Sequence, residues 1–123
     1  MKKVLFVALF MLSFAFAQAQ TSAKWEWKQM TAIESVVPGG LGRSRLITTD
    51  AKGEVVEIKL ENFFSLVGIN FGNIKDNDKI LTESIQKMSD EGWELHTTTS
   101  GVYGADKSTG IFVTRYLFRR PKQ

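Results

Sequence analysis

One stretch of this sequence has the period of an amphipathic helix, and most other stretches have the period of strands. Within residues 78–91, Leu81, Ile85 and Met88 fall at i, i+4 and i+7 and form one apolar stripe. Elsewhere apolar and polar residues mostly alternate, as they do in half-buried strands. A single helix among strands buries its stripe on a sheet, since each element has an apolar face to cover. We therefore predict an α+β fold, a two-layer sandwich of one main helix on a mostly antiparallel sheet of about five strands.

The bounds of these elements follow from the residues that break them. Pro38 lacks the N–H that a ladder needs and ends the first strand. Residues 50–53 are typical of a hairpin loop, because the glycine can take a positive φ. Gly92 stands where a left-handed residue commonly ends a helix, and Asn77 or Asp78 can cap its start. The predicted strands are residues 24–36, 44–50, 54–60, 93–99 and 111–119, and the predicted helix is residues 78–91.

The aromatic residues of these strands are the expected core. Trp25 and Trp27 alternate with polar neighbours, and the alternation slips near Met30, which a β-bulge would explain. Trp93 and Leu95 are expected to point at the helix stripe, with Trp25 and Trp27 adding bulk on the same sheet. The last strand carries apolar residues on both faces, which indicates a central position in the sheet.

Two stretches lack a clear period. Residues 61–77 place Phe63, Leu66 and Val67 on one side of a short helix, but the glycines do not fit it. We expect a short helix or turn there, followed by a loop. Residues 100–110 are polar and contain glycine, which predicts a loop before the last strand.

The first 19 residues predict export. Two lysines precede an apolar run, residues 4–16, and overlapping small-x-small cleavage sites follow it. A membrane-spanning helix needs roughly 20 apolar residues, and this run is shorter. We therefore expect a signal peptide over residues 1–19, a single domain over residues 20–123, and a mature protein in the periplasm or outside the cell.

Charge and cysteine usage exclude several classes of partner and site. The formal net charge of +3 falls to +1 when Lys2 and Lys3 are removed with the leader, which contains no acidic residue. A domain whose positive and negative charges nearly cancel lacks the basic face that binds nucleic acid. The sequence contains no cysteine, which excludes a disulfide, a thiol nucleophile and a cysteine-ligated metal site. The fold must be held together by its core.

Three short motifs resemble a known family. They are Lys24-Trp25-Glu26-Trp27-Lys28, Glu91-Gly92-Trp93-Glu94-Leu95 and Tyr116-Leu117-Phe118-Arg119-Arg120-Pro121. The pattern resembles the small domain of unknown function 4177, with Trp27 where the family usually has tyrosine. The resemblance covers the first strand and residues 78–121, whereas residues 36–77 look like an insertion. It implies a strand–helix–hairpin core and brings no catalytic residue.

The turn from Gly39 to Arg45 is the candidate ligand site. Glycine-rich backbone can form a concavity for an anion, and two arginines can add bidentate contacts. The turn lacks the Gly-Lys-Ser/Thr of a phosphate loop and does not lead into a helix, so a mobile turn with solvated arginines is the alternative. The candidate ligand-binding residues are Gly40, Gly42, Arg43, Ser44 and Arg45.

The sequence shows no constellation typical of catalysis or metal binding. His96 is the single histidine and lies on the polar side of its strand with Glu94 and Thr98. A general base would also need a partner and a cleft. Residues 76–78 offer oxygen ligands without the spacing of a calcium loop, and helix capping explains them more simply. We expect no catalytic residues, no metal and no cofactor.

These observations favour an exported, non-catalytic domain that binds a protein partner or itself. Its aromatic strands can offer an edge to another chain. A small-ligand or anion binder that uses the Gly39–Arg45 turn is the alternative, and an enzyme that uses His96 with carboxylates is a third hypothesis. No nucleic acid partner and no membrane span after cleavage of the leader are expected.

Overall fold

The computed structural model of the chain describes residues 24–104 and 109–122, so the predicted leader lies outside the described residues. The elements in chain order are β1 (Trp25–Val36), β2 (Ser44–Asp50), β3 (Val55–Leu60), β4 (Phe64–Ser65), β5 (Gly68–Ile69), α1 (Phe71–Asp90), β6 (Glu94–Gly104) and β7 (Gly110–Pro121). A short 3-10 turn, Pro38–Gly40, follows β1.

Five strands form one sheet in the order β3-β2-β1-β7-β6, and every neighbouring pair is antiparallel. The two short strands β4 and β5 form a separate hairpin. The predicted α+β class, one helix with a mostly antiparallel sheet, is confirmed. β3 and β6 are the edges of the sheet, and β7 lies inside it, as its two apolar faces predict.

The core lies between α1 and one face of the sheet, which we call the inner face. Its buried strand residues come from β1, β2, β3 and β7, and Leu81 and Met88 of the predicted helix stripe pack against them. Burying each leucine, methionine or phenylalanine side chain of this core contributes roughly 1.5–3 kcal/mol. β6 adds no buried residue, since every residue from Glu94 to Gly104 is exposed. The strand residues of this core are Met30, Ala32, Leu46, Leu60 and Phe118.

The tryptophans of β1 point the other way, contrary to the prediction. β1 pairs with β7 without a break in register, so the predicted bulge near Met30 is wrong. Because side chains alternate along a strand, Met30 and Ala32 on the inner face place Trp25 and Trp27 on the outer face. The irregularity of the sheet lies instead in β6, between Leu95 and Thr97.

The helix begins at Phe71, whereas the sequence pattern predicts a start at residue 78. Asn70 is the N-cap, and its Oδ1 accepts hydrogen bonds from Gly72 N at 3.0 Å and Asn73 N at 3.3 Å. Capping by Asn77 or Asp78 is therefore wrong. The first two turns carry few apolar residues, and so the periodicity that marks the rest of the helix is missing there.

Asn77 binds the helix to the end of β3. Its side chain is fully buried, and its Oδ1 accepts from Glu61 N at 2.7 Å. Its Nδ2 donates to Glu61 O at 2.9 Å and to Glu34 Oε1 at 3.2 Å. Burial raises the pKa of Glu34, and the charge of Asp78 adds to this, while the Asn77 bond opposes it. Burial likewise raises the pKa of Tyr116.

Two predicted loops contain strands. Residues 100–104, expected to be a loop, extend β6 beyond residue 99, since they pair with β7 from Thr114 to Gly110. Residues 61–77 contain the β4–β5 hairpin and the first turns of α1 rather than a short helix and a loop. The glycine predictions at the β2–β3 loop and the helix end are confirmed, with φ of 83° at Gly53 and 81° at Gly92.

Candidate functional site

The three motifs meet at one end of the sheet, where β1 begins and β7 ends, around a pocket of about 440 Å³. We call it the motif pocket. The β2–β3 loop closes it on one side. Its lining residues are Trp25, Glu26, Trp27, Lys28, Glu91, Trp93 and Arg120 from the motifs, together with Asp50, Ala51, Lys52 and Lys122.

Trp93 forms the buried wall of the motif pocket. Lys28 Nζ lies 4.8 Å and Arg120 Cζ 4.3 Å from the centroid of its ring. Each cation also has a carboxylate partner: Lys28 Nζ is 3.3 Å from Glu91 Oε2, and Arg120 Nε is 2.8 Å from Glu26 Oε2. The motifs therefore bind one another through cation–π contacts and ion pairs.

The last motif uses its other arginine in the same way on the outer face. Arg119 Cζ lies 4.3 Å from the Trp25 ring centroid, and Arg119 Nε is 3.6 Å from Glu94 Oε2.

The indole Nε1 of Trp93 is buried and has no hydrogen-bond partner among the described residues. Such an orphaned donor costs about 1–3 kcal/mol, which the cations over the ring help to offset.

Asp50 shapes the loop that closes the pocket. Its Oδ1 accepts hydrogen bonds from Lys52 N at 2.8 Å and from Glu54 N at 3.0 Å. These backbone donors, Glu54 foremost, lower the pKa of Asp50, and the charges of Lys28 and Lys52 add to the effect. The carboxylate is thus ionised at neutral pH and faces its own loop.

The predicted Gly39–Arg45 site is held mainly by internal contacts. Ser44 is fully buried, and its Oγ accepts from Ser35 N at 2.9 Å. Arg45 Nε pairs with Glu57, and its guanidinium also donates to Ser44 O at 2.8 Å. A Cβ on Gly42 would collide with the side chains of Asn62 and Ser35, so this glycine serves packing.

Arg43 is the candidate of that turn that lies at the surface. Arg43 is exposed, and Gly40 ends the 3-10 turn, in which Gly39 has a φ of 76°. The structure therefore leaves the Arg43 side chain exposed between half-buried Gly42 and buried Ser44, and a ligand site at this turn stays a prediction.

The β4–β5 hairpin exposes apolar side chains on a fixed base. Asn62 Nδ2 donates to Val37 O at 2.8 Å and to Phe64 O at 2.7 Å, which holds the hairpin against the sheet. At its tip, Leu66 is 88% and Val67 97% exposed. Exposed apolar groups on an ordered hairpin are typical of contact surfaces.

The two sheet edges differ in length and chemistry. β3 has six residues, and its charged residues Glu57 and Lys59 form ion pairs with Arg45 and Glu61. β6 has eleven residues, and its stretch Leu95–Gly104 contains neither carboxylates nor lysines or arginines. We call the free side of this stretch the β6 edge.

His96 lies at the irregularity of β6, and its ring meets Trp27 edge to face at a centroid distance of 5.2 Å. The contact gives the histidine a packing role on the outer face.

Within residues 24–104 and 109–122, no group of three histidine, aspartate or glutamate side chains is placed to hold a metal ion. In the same part of the chain, no helix has the length and apolar character of a membrane span.

Comparison with known proteins gives no match: no protein-family model, no curated protein and no solved structure resembles this chain significantly. The resemblance to the domain of unknown function 4177 stays a prediction that rests on the three motifs. The strand edges and the motif pocket therefore have to be interpreted from their own chemistry.

Proposed function

We propose that this chain is an exported, non-catalytic interaction domain that associates with a second copy of itself through the β6 edge. The observation that carries the proposal is the long uncharged edge strand. An unpaired strand edge is a template for another strand, and proteins that avoid such pairing place charges, prolines or covering segments there. Leu95–Gly104 has none of the charges or prolines.

The direction of the backbone groups on this edge follows from the register. Lys122 N donates to Lys24 O at 2.7 Å, so Lys24 and Lys122 are a hydrogen-bonded pair. In an antiparallel ladder such pairs alternate with pairs that are not hydrogen-bonded, so every second residue pair of β1 and β7 after this one exchanges hydrogen bonds. Leu117 lies between such pairs and bonds to β6, where it stands opposite Thr97. Thr97 and every second residue after it therefore bond to β7. The residues that direct N–H and C=O to the free side are Thr98, Ser100 and Val102.

A two-fold axis at Ser100 matches these free groups. In an antiparallel pair of β6 strands it places Ser100 opposite Ser100 and Thr98 opposite Val102, and all of these residues exchange backbone hydrogen bonds. The strand brings no like charges together, and β-branched cross-strand pairs contribute roughly 0.2–1 kcal/mol each. A second copy therefore fits the edge without repulsion.

The same pairing covers apolar groups of the inner face. Leu95 and Val102 of β6 and Phe112 of β7 are partly exposed there, and the Phe112 ring also contacts Phe63 at a centroid distance of 5.8 Å. The two-fold axis joins the sheets edge to edge and places both helices on the same side. Val102 of each copy then lies opposite Thr98 of the other, with Phe112 beside it on β7, so Val102 and Phe112 of both copies flank the two-fold axis.

Export and lack of catalysis are parts of the same proposal. The predicted leader supports export to the periplasm or the medium. His96 packs on Trp27 and has no carboxylate hydrogen-bonded to it among the described residues, which supports a binding rather than a catalytic role.

Cysteine cross-linking tests the proposed pairing directly, because the chain has no cysteine of its own. In a hydrogen-bonded antiparallel pair the Cα atoms lie about 5.5 Å apart, within the usual range of a disulfide. We expect Ser100→Cys to form a covalent dimer under mild oxidation. An equimolar mixture of Thr98→Cys and Val102→Cys is expected to form the mixed dimer.

Val55→Cys is the matched control, since Val55 is exposed on the opposite edge strand. It should stay monomeric under the same conditions. Equal cross-linking of Val55→Cys and Ser100→Cys would show random collision, and a Ser100→Cys protein that stays monomeric would refute the β6 pairing. Dimers cross-linked by a cysteine at Val67 alone would assign self-association to the β4–β5 hairpin instead.

A further inference from the structure

We infer that the motif pocket binds a short acidic peptide in extended conformation, as an added strand beside the start of β1. This inference does not depend on association through the β6 edge, which lies on the opposite side of β1. It rests on the position of the pocket, on the direction of the β1 backbone and on the charges around it.

The sheet lacks a strand segment beside the start of β1, next to the motif pocket. β2 pairs with β1 as far as Lys28, opposite Asp50, and then turns away into the β2–β3 loop. Residues 25–27 of β1 continue past this point and still pair with β7 on their other side. Trp25, Glu26 and Trp27 line the motif pocket together with Asp50, Ala51 and Lys52 of the β2–β3 loop, so the pocket borders the place that a longer β2 would occupy.

The backbone of β1 offers hydrogen bonds to this gap. Lys24 O accepts from Lys122 N, so Lys24 and every second residue after it bond towards β7. The residues between them, Trp25 and Trp27, direct N–H and C=O to the side of β2. An extended peptide that enters the gap can pair with both residues, as in strand addition to a sheet edge.

The charges of the pocket favour an acidic ligand. Lys28 and Arg120 are paired with Glu91 and Glu26, and Asp50 accepts hydrogen bonds from its own loop. Lys52 and Lys122 line the same pocket and make no ion pair within 4 Å among the described residues, although the charge of Lys52 acts on Asp50. The four cations of the lining therefore exceed its three carboxylates, and the excess at the rim of the strand gap matches one carboxylate on the added peptide.

Nuclear magnetic resonance with the mature protein tests this inference. The probes are the acetylated and amidated tripeptide Val-Thr-Glu, its Val-Thr-Lys counterpart, and sodium acetate. We expect Val-Thr-Glu at millimolar concentration to shift the backbone amide signals of Trp25 and Trp27 and to slow their hydrogen exchange. The Ser100→Lys variant serves as a background in which β6 pairing is disfavoured, so that failure of the two proposals can be distinguished.

Variants at the rim separate charge recognition from pairing. The double change Lys52→Ala and Lys122→Ala should weaken binding of Val-Thr-Glu at least about tenfold. Lys75→Ala with Lys87→Ala, two exposed lysines of α1, is the matched control and should leave binding unchanged. Equal binding of Val-Thr-Lys would overturn the acidic preference. Equal shifts with acetate, or no shift at Trp25 and Trp27 with Val-Thr-Glu, would overturn the peptide site.

Discussion

The two edge strands of the sheet are held and protected in opposite ways. β3 is short, carries charged residues, and is attached to the core through Leu60 and to α1 through Asn77. β6 is long and uncharged from Leu95 onward, and no residue of it is buried. β3 is therefore held by a buried side chain and by hydrogen bonds at its end, while β6 is held by its ladder with β7 and by surface contacts of Glu94 and His96.

The difference shows on which edge strand the unpaired backbone N–H and C=O groups are open to another strand. α1 covers the side of the sheet that contains Leu46 and Leu60, so side chains anchor β3, and charges discourage pairing at its free side. Every residue of β6 is exposed in the described part of the chain, and the stretch Leu95–Gly104 has neither carboxylates nor ammonium groups to discourage pairing. An edge with this composition is the side of the sheet on which association is expected.

Removing the core anchor of β3 should have the largest effect. Leu60 is 1% exposed, so Leu60→Ala is expected to lower the free energy of unfolding by about 2–5 kcal/mol. Val102 of β6 is 69% exposed, and Val102→Ala is expected to change it by less than about 0.5 kcal/mol. Urea denaturation at low protein concentration measures both values. Similar losses in the two variants would show that β6 is as firmly anchored as β3.

Removing the polar anchor of β3 should have the next largest effect. Asn77→Ala leaves Glu61 N–H and C=O without their side-chain partner, and we expect a loss of about 1–3 kcal/mol in unfolding free energy. Thr99→Ala on β6 serves as the comparison, with less than about 0.5 kcal/mol expected. A negligible loss in Asn77→Ala would mean that water replaces the amide and that the anchor contributes little.

A charge on each edge should separate association from stability. Ser100→Lys places two ammonium groups together at the proposed two-fold axis, and we expect the dimer dissociation constant to rise at least about tenfold, or about 1.4 kcal/mol. Val55→Lys places the same charge on β3 and should leave association unchanged. Analytical ultracentrifugation over a concentration series measures both. If Val55→Lys weakens the dimer and Ser100→Lys does not, the interface lies on β3 instead of β6.

The carboxylate beside the polar anchor of β3 should give a smaller effect that depends on pH. Because burial raises the pKa of Glu34 in the folded protein, the folded state holds this proton more tightly than the unfolded chain, and stability is lost as pH rises above the ordinary value of 4.5. Glu34→Gln, which keeps the acceptor for Asn77 Nδ2, should therefore stabilise the protein at pH 7, and the gain should vanish in acid. Exposed Glu54→Gln is the control in urea denaturation at both pH values, and an equal gain there would show that burial of Glu34 is not the cause.

Much of the fold was predictable because the alternation of apolar and polar residues marks where strands begin and end. β1, β2 and β3 lie within a residue of their predicted bounds, and Gly53 and Gly92 have the conformations that their positions predict. The start of α1 was missed, since Asn77 occupies an inner position where an apolar residue would have extended the stripe. The orientation of Trp25 and Trp27 was missed because alternation fixes which residues share a face and does not fix which face is inside.

The candidate surfaces were predictable to a smaller degree. An edge strand was expected to carry association, but residues 100–104 were interpreted as a loop, because polar and glycine residues at an edge strand have the composition of a turn. The convergence of the motifs on one pocket depends on contacts between distant parts of the chain, such as Lys28 with Glu91, which no local pattern encodes.

Amide hydrogen exchange as a function of protein concentration tests the β6 pairing most directly. Thr97 and Thr99 bond to β7 and should be protected at every concentration. Thr98, Ser100 and Val102 should exchange rapidly in dilute protein and become protected as the dimer forms. Rapid exchange of these three amides at all concentrations, or new protection on β3 instead, would contradict the account.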